Sequence, residues 1–394
     1  MEGVRIAVVG GSLGGLTAAC LLRDGGHDVT MHERAGTELE ERGAGIGFLP
    51  ETYRYLVERA GIPLDEISVA TDHIRYLNRD DSVAHDATHQ YQFSSWNTVY
   101  RRLLDHWGRE RYHLGQEMVG FEQDADAVRV AFAAGDTLGV ELLVCADGVG
   151  STARRILQPA ASSSYAGYVA WRGMVPEADL PPELTYRFGD AITYHVTANS
   201  HVLVYPIPGR DGCVAPGARL VNFVWYRNYL EGGDLADLMT DRDGVRRDLS
   251  LPPGAVSARH DTEARATARA RLPTSIAAVI ELTEHLFVQV IHDVAVDRMA
   301  FGRVCLLGDA AFAVRPHAAA GTAKAADDGW ALAEALDAAS DVPAALASWE
   351  PGRLAVGRLL LERTRRIGRR SQVDNTWVPG DPELIFGLHR PGAA

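Results

Sequence analysis

An apolar run at 5–10, rich in β-branched residues, meets the glycine-dense stretch Gly10-Gly11-Ser12-Leu13-Gly14-Gly15, and that junction narrows the possible folds more than any other feature. Residues 16–23 then carry helical character, and 28–33 alternate as a strand. Strand, glycine turn, helix and strand within about 30 residues make a βαβ unit. A dinucleotide needs such a turn for a tight bend, a close backbone approach to pyrophosphate, and tight helix–strand packing. The helix start beyond it offers free N–H groups to phosphate. The common G-x-G-x-x-G pattern has glycine where Ser12 stands; Ser12 is small enough to permit the approach and has a hydroxyl to donate. Glu33 closes the second strand at the offset where a carboxylate accepts bonds from a ribose. With Arg34 after it, Glu33 suits an adenosine ribose lacking a 2′-phosphate; the plainer reading is a solvated strand-end carboxylate.

The pattern of a buried strand meeting a polar turn recurs twice. Residues 142–148 end in Asp147-Gly148, with Ser151 and Arg154 beyond; residues 304–309 end in Gly308-Asp309, followed by Arg315-Pro316-His317-Ala318-Ala319-Ala320-Gly321. Between them, 165–229 holds strand-like runs at 168–175, 191–196, 202–207 and 220–226, separated by turn residues such as Pro206, Pro208, Gly209 and Asp211. This predicts a mostly antiparallel sheet inserted into a nucleotide-binding fold, with 286–297 returning the chain to the first lobe. From 321 to 369 the pattern is helical, with Pro343 and Pro351 as breaks, and the tail after Ser371 is expected to wrap the surface. A chain of 394 residues fits two interleaved lobes. The nucleotide lobe is predicted at 1–70, 96–160 and 285–350, the substrate lobe at 71–95 and 161–284, and a C-terminal helix and tail at 351–394.

The net charge of −13 argues against nucleic acid and anionic membranes as partners. Cys20, Cys145, Cys213 and Cys305 are scattered with no CxxC pair, so neither a metal site nor a disulfide framework is expected, and a reducing cytoplasm suits them. A strand begins almost at once, which leaves no room for a signal peptide, and no segment approaches the roughly 18 apolar residues of a membrane span.

The three motifs in this order resemble the flavoprotein aromatic hydroxylases, the group of p-hydroxybenzoate hydroxylase. So do Gly43-Ala44-Gly45-Ile46-Gly47-Phe48-Leu49-Pro50, which looks like that group's second glycine-rich loop, and Trp171-Arg172-Gly173 at the entry to the inserted sheet. Within the group the chain is most similar to the dihydroxypyridine hydroxylases, over segments 14–19, 21–24, 165–173, 205–210, 238–241, 296–299 and 315–321. The resemblance implies an α/β fold: a Rossmann-like FAD-binding lobe, an inserted mostly antiparallel substrate lobe and C-terminal helices. It implies that FAD is held by Gly10, Ser12, Leu13 and Gly14, by Glu33, Arg34 and Arg42, by Gly45 and Ile46, and by Asp147 and Asp309. Pro316, Ala319, Ala320, Gly321 and Thr322 complete that set at the flavin ring. NADH or NADPH would reduce FAD, O2 would add at the flavin C4a position, and OH would pass to a small electron-rich ring, a hydroxypyridine or phenol. A cytoplasmic homo-oligomer, most simply a dimer, is expected. The alternatives are the same reaction as a tailoring step on a larger hydroxypyridine natural product, or a flavin reductase or dehydrogenase without oxygen insertion.

Where the wider group reads P-x-x-G-Q-G-x-N, this chain has Ala320 and Ala323 for Gln and Asn, a pattern the dihydroxypyridine subgroup shares. Trp96 falls where many members place a flavin-contacting Arg, with Arg101 and Arg102 nearby. Lys324, the only lysine, admits two readings: a pair with Asp327 or Asp328 at helical spacing, or a cation that stabilises reduced flavin. An electron-rich ring needs a base or acceptor near its hydroxyl. Tyr194, His195, His201, Tyr205, Asn222 and Trp225 are the candidates on the inserted sheet. Strand alternation puts His201, Leu203 and Tyr205 on one face, which favours His201 and Tyr205 as catalytic residues. Pro316 and His317, beside the flavin's reactive edge in the family, complete the predicted catalytic set, with His317 as substrate contact or proton relay.

Overall fold

The computed structural model describes residues 3–40 and 44–392. Strand Arg5–Val9 buries all but its first side chain and is flanked by two parallel neighbours, Asp28–His32 and Leu142–Cys145. Parallel strands covered on both faces read as continuous apolar runs, as these do. Val304–Leu306 pairs in parallel with Leu142–Cys145. Among the described residues this sheet has six strands, completed by Ala300–Phe301 and Tyr112–His113 at its edges. The glycine turn follows Val9, Asp147 follows Cys145 at the second position, and Asp309 follows Leu306 at the third. All three motifs therefore leave the carboxyl ends of adjacent parallel strands, where open α/β sheets bind ligands.

The second sheet has nine strands among the described residues. Its pairings are antiparallel except that of Ala191–Thr197 with Val69–Leu77. Alternation divides its side chains cleanly. Val169, Trp171, Val202, Val204, Phe223 and Trp225 pack in one core with helices Ala258–Arg271 and Thr274–Leu282. Ala170, Leu203, Tyr205, Val224 and Tyr226 face the other way, toward helix Val342–Gln372 and the C-terminal segment.

Three features depart from the sequence-based expectation. Phe287–Asp293 pairs with Ser164–Pro176 in the second sheet, so the chain returns to the first sheet after residue 293, later than the predicted boundary at 285. Pro343 sits in the first turn of its helix, but Pro351 lies inside helix Val342–Gln372, which runs through it. Buried side chains on both sides of Pro351, from Trp349 to Leu360, supply packing that outweighs the one missing backbone bond. The tail does not simply wrap the surface: Trp377, Leu384, Phe386 and Leu388 join the core beneath the second sheet. Arg363 fastens it by donating to the carbonyls of Ile385 and Gly387. No helix of the described residues is long and apolar enough to cross a membrane.

Candidate functional site

Gly10 leaves its strand at φ +105°, and a Cβ there would lie 2.2 Å from the Ala146 carbonyl oxygen. Only glycine permits that conformation and that approach, so the glycine turn and the Asp147 turn meet backbone to backbone. Helix Leu13–Asp24 follows with Ser12 as its N-cap; the Ser12 hydroxyl makes no capping bond and the first turn carries no acid. Its free N–H groups and positive dipole end are thus available to an anion. Glu33 is buried beside this turn, with Oε2 accepting from the Gly11 amide at 2.9 Å and Oε1 from the Ala35 amide at 2.9 Å. Its carboxylate fixes the turn as well as bordering the cavity. Asp147 braces helix Thr152–Leu157 through Oδ2, which accepts from Thr152 N at 2.7 Å, while its Oδ1 is buried with no protein partner.

Two cavities meet here. One, of about 330 Å³, is lined by Gly10, Glu33, Arg34 and Asp147. The other, of about 350 Å³, reaches from the glycine turn past Asp309 to the face of the second sheet. Ser12, Trp96, Ala146 and Gly148 line both. Asp309 opens to the larger cavity, where surrounding protein pushes its carboxyl up to about 6; Lys324 and Arg154 pull it down and Asp328 pushes it further up. A close-approach glycine, an unpaired buried carboxylate oxygen and an acid-free helix start along one trough fit a flavin dinucleotide.

At the far end, Pro316–Ala318 forms a single tight turn and Ala319 takes the left-handed conformation, φ +53°. That conformation is strained for alanine by about 1 kcal/mol. The Ala319 methyl stands where a Cβ on Gly47 would come within 2.5 Å, so the two loops close on each other at the cavity wall. Helix Gly321–Ala338 then starts with no acidic residue in its first turn, and Gly321 and Thr322 line the cavity. Its positive end suits the electron-rich edge of a flavin.

The structure brings most of the predicted cofactor set to these two cavities. Leu13, Gly14, Gly45, Ile46, Pro316, Ala319 and Ala320 line the larger one, along with Tyr205. Arg42 and Gly43 lie outside the described residues. Neither Arg101 nor Arg102 reaches the cavities; Arg101 pairs instead with Glu40, and Trp96 itself forms the wall.

The predicted histidines are elsewhere. His201 shares a sheet face with Leu203 and Tyr205, but helix Val342–Gln372 covers that end. Its Nδ1 lies 2.6 Å from Ser371 Oγ and its ring stacks on Trp377 at 4.6 Å. His317 points away from Pro316 into the same buried cluster, 2.6 Å from the Tyr168 hydroxyl, in space left by Gly368. Burial holds His201 down to about 3. Burial, then the adjacent His201 and Arg315, hold His317 well below the usual imidazole range. Both are neutral near neutral pH, and neither lines the cavity. Tyr194 stacks on Tyr76 at 5.0 Å, His195 bonds the Leu77 carbonyl on the reverse face, and Trp225 faces the opposite core. Asn222 accepts from the Gly45 amide at 3.0 Å and so positions that loop. Lys324 is fully buried and pairs with Asp328, as the first of its two readings expects.

Several lining residues were missed. Arg172, Gln289 and Tyr226 face the cavity from neighbouring strands, Phe93 from Val83–Ser95, and Phe386 from the C-terminal segment. Strand parity from Ala170 would have found Arg172; nothing local marks Phe386.

A family model described as FAD binding domain-like matches residues 165–293. The chain is 38% identical, over 98% of its length and 96% of the relative's, to a 2,6-dihydroxypyridine 3-monooxygenase of Paenarthrobacter nicotinovorans. It is 30% identical to a 3-amino-4-hydroxybenzoate 2-monooxygenase of Streptomyces cremeus, covering 96% of this chain and 89% of that one. The solved structure of 2,6-dihydroxypyridine-3-hydroxylase from Arthrobacter nicotinovorans superposes with a TM-score of 0.93 at 36% identity, over 100% of this chain and 99% of that one.

Proposed function

The chain belongs to the FAD-dependent aromatic hydroxylases, and from that membership we propose that it hydroxylates a small hydroxypyridine-type ring at the expense of a reduced nicotinamide and O2. One observation carries the proposal: the trough that fits the dinucleotide opens, past Pro316–Ala318, onto an aromatic-walled chamber on the second sheet. FAD, when bound, supplies the electron transfer and oxygen activation; the protein supplies orientation, electrostatics and exclusion of water.

In this reading Ser12 and the start of helix Leu13–Asp24 hold the pyrophosphate, Glu33 the adenosine ribose, and Asp309 the polyol chain. Gly45, Ile46 and the 316–322 loop hold the flavin ring at the chamber mouth. Phe93, Tyr205, Tyr226 and Phe386 enclose the substrate ring. The aromatic lining of the chamber suits a planar aromatic ring. The relatives that act on a dihydroxypyridine and an aminohydroxybenzoate support the choice of a small hydroxylated ring.

The test is purified holoenzyme offered hydroxypyridines and phenols, with NADH or NADPH consumption, O2 uptake and product measured together. A hydroxypyridine that stimulates nicotinamide oxidation and gains one oxygen atom from 18O2 is the expected result. Stimulated oxidation without oxygen in the product would favour a reductase. A dimeric state and a cytoplasmic location are part of the same proposal; the four unpaired cysteines support the location, and light scattering tests the state.

A further inference from the structure

Among the described residues lining the larger cavity, Arg172 is the one cation and Asp309 the one carboxylate. Asp309 belongs to the nucleotide side, at the end of strand Val304–Leu306; Arg172 stands on the substrate sheet, within Ser164–Pro176. Its guanidinium is anchored at both ends. Nη2 donates to the Gly45 carbonyl at 2.6 Å and Nη1 to Gln289 Oε1 at 3.2 Å, and Nε is buried with no partner. No described carboxylate forms an ion pair with it.

The other titratable groups that face it are Tyr205 on Ser200–Ile207 and Tyr226 on Leu220–Asn228. Burial raises both hydroxyls; the Arg172 charge, and at Tyr205 also hydrogen bonds with Arg172 and Asn222, only partly offset this. Both phenols stay protonated near neutral pH, so neither provides a counter-charge. A half-buried guanidinium whose partners (Gly45, Gln289, the Tyr205 hydroxyl and the Phe287 ring) are all neutral is costly to keep unless an anion completes it. Electrophilic oxygen transfer favours a ring whose hydroxyl is ionised, and a fixed cation beside that oxygen stabilises the ionised form.

We propose that Arg172 binds the ionised oxygen of the substrate ring, so that the enzyme takes a hydroxypyridine as its anion. The proton leaves to solvent as the ligand binds. This rests on the hydroxypyridine reading above, and the anion requirement narrows it. Arg172 is then a catalytic residue by direct contact, set in place by Gly45 and Gln289.

The experiment uses oxidised holoenzyme without nicotinamide, titrated with 2,6-dihydroxypyridine and with 2,6-dimethoxypyridine, which cannot ionise. Binding is read from the perturbed flavin absorbance and the ligand's own ultraviolet difference spectrum. In the unaltered enzyme the bound dihydroxypyridine is expected to show its anion spectrum about one pH unit below the free ligand's pKa. A neutral spectrum there overturns the proposal without any variant. Arg172→Gln is expected to weaken dihydroxypyridine about 30-fold, the loss of a charge-assisted bond, and dimethoxypyridine less than about twofold. Arg172→Lys should restore part of the difference. Equal losses for both ligands would reduce Arg172 to a support for the Gly45 loop. Arg172-dependent binding of salicylate, whose charge is on its carboxylate, with no binding of hydroxypyridines would overturn the ring-oxygen role and retire the hydroxypyridine class with it. Failure of every ionisable ring to bind would end both.

Discussion

The ammonium of Lys324 lies 2.7 Å from Asp328 Oδ2, one helical turn along a face with no access to solvent. The pair grips one residue from both sides: Asp328 accepts from the Gly308 amide at 3.0 Å, and Lys324 donates to the Gly308 carbonyl at 3.3 Å. Gly308 adjoins Asp309, so this buried salt bridge sets the backbone of the carboxylate proposed to hold the cofactor. Lys324→Met leaves the buried Asp328 with only the longer 3.9 Å pairing to Arg353, which costs about 3 kcal/mol. We expect a matching loss in the denaturation midpoint and weaker FAD retention, with little change in flavin reduction potential because the native lysine is already neutralised by its partner. A potential that moves by tens of millivolts while stability holds would instead place the Lys324 charge at the flavin.

Acid should unfold this protein early. His201 is held down to about 3 and His32 to about 4, each chiefly by burial, and His317 is held well below its ordinary value. An unfolded histidine takes up a proton below about pH 6.5 and these folded ones do not, so the unfolded state binds more protons throughout the interval beneath. The stability they contribute is therefore whole above pH 6.5 and is lost as the pH falls. At pH 5 the loss from His201 alone is about 2 kcal/mol. Urea denaturation between pH 7 and 4.5 measures it. His201→Gln should flatten the slope over that range, and an unchanged slope would show that His201 is protonated in the fold.

The convergence of the three turn motifs on one candidate site was legible because it is local. Each of its parts is a turn chemistry following a buried strand, and parallel pairing of those strands brings the turns together without further information. The face of the substrate sheet was legible too, since parity placed Tyr205 in the chamber. What covers that face was not. His201 has the right parity but lies under helix Val342–Gln372, whose register against the sheet no short segment encodes. His317 follows Pro316 in the chain, yet a tight turn sends the two side chains to opposite sides, one to the cavity and one to the core.

Gly10 offers a sharp test of that convergence. Alanine at φ +105° is strained, and its methyl would lie 2.2 Å from a carbonyl oxygen that cannot swing aside. Overpacking of this kind costs about 2 kcal/mol. In Gly10→Ala the glycine turn and the Asp147 turn must separate, and FAD affinity should fall about 30-fold. Titration of apoprotein by flavin fluorescence quenching measures this directly. An unaltered affinity would mean that the dinucleotide does not lie across these two turns.

Phe386 closes the chamber from a segment 295 residues away in sequence from its partner: its amide donates to the Tyr91 hydroxyl at 3.0 Å and its ring lies 4.6 Å from that of Tyr91. The Gly387 amide donates to the Ala318 carbonyl, so the same segment also ties down the loop proposed to hold the flavin ring. Phe386→Ala removes one wall while leaving these backbone bonds in place. Water then reaches the reacting centre, and the substrate ring loses a packing face worth about 1–2 kcal/mol. We expect KM for the ring substrate to rise about tenfold and the yield of product per nicotinamide to fall, with the balance appearing as peroxide. FAD content is expected to hold, since the backbone bonds of the segment remain. Unchanged coupling with a raised KM would make Phe386 a packing surface only, whereas lost coupling at an unchanged KM would make the C-terminal segment a seal against water rather than part of the substrate site.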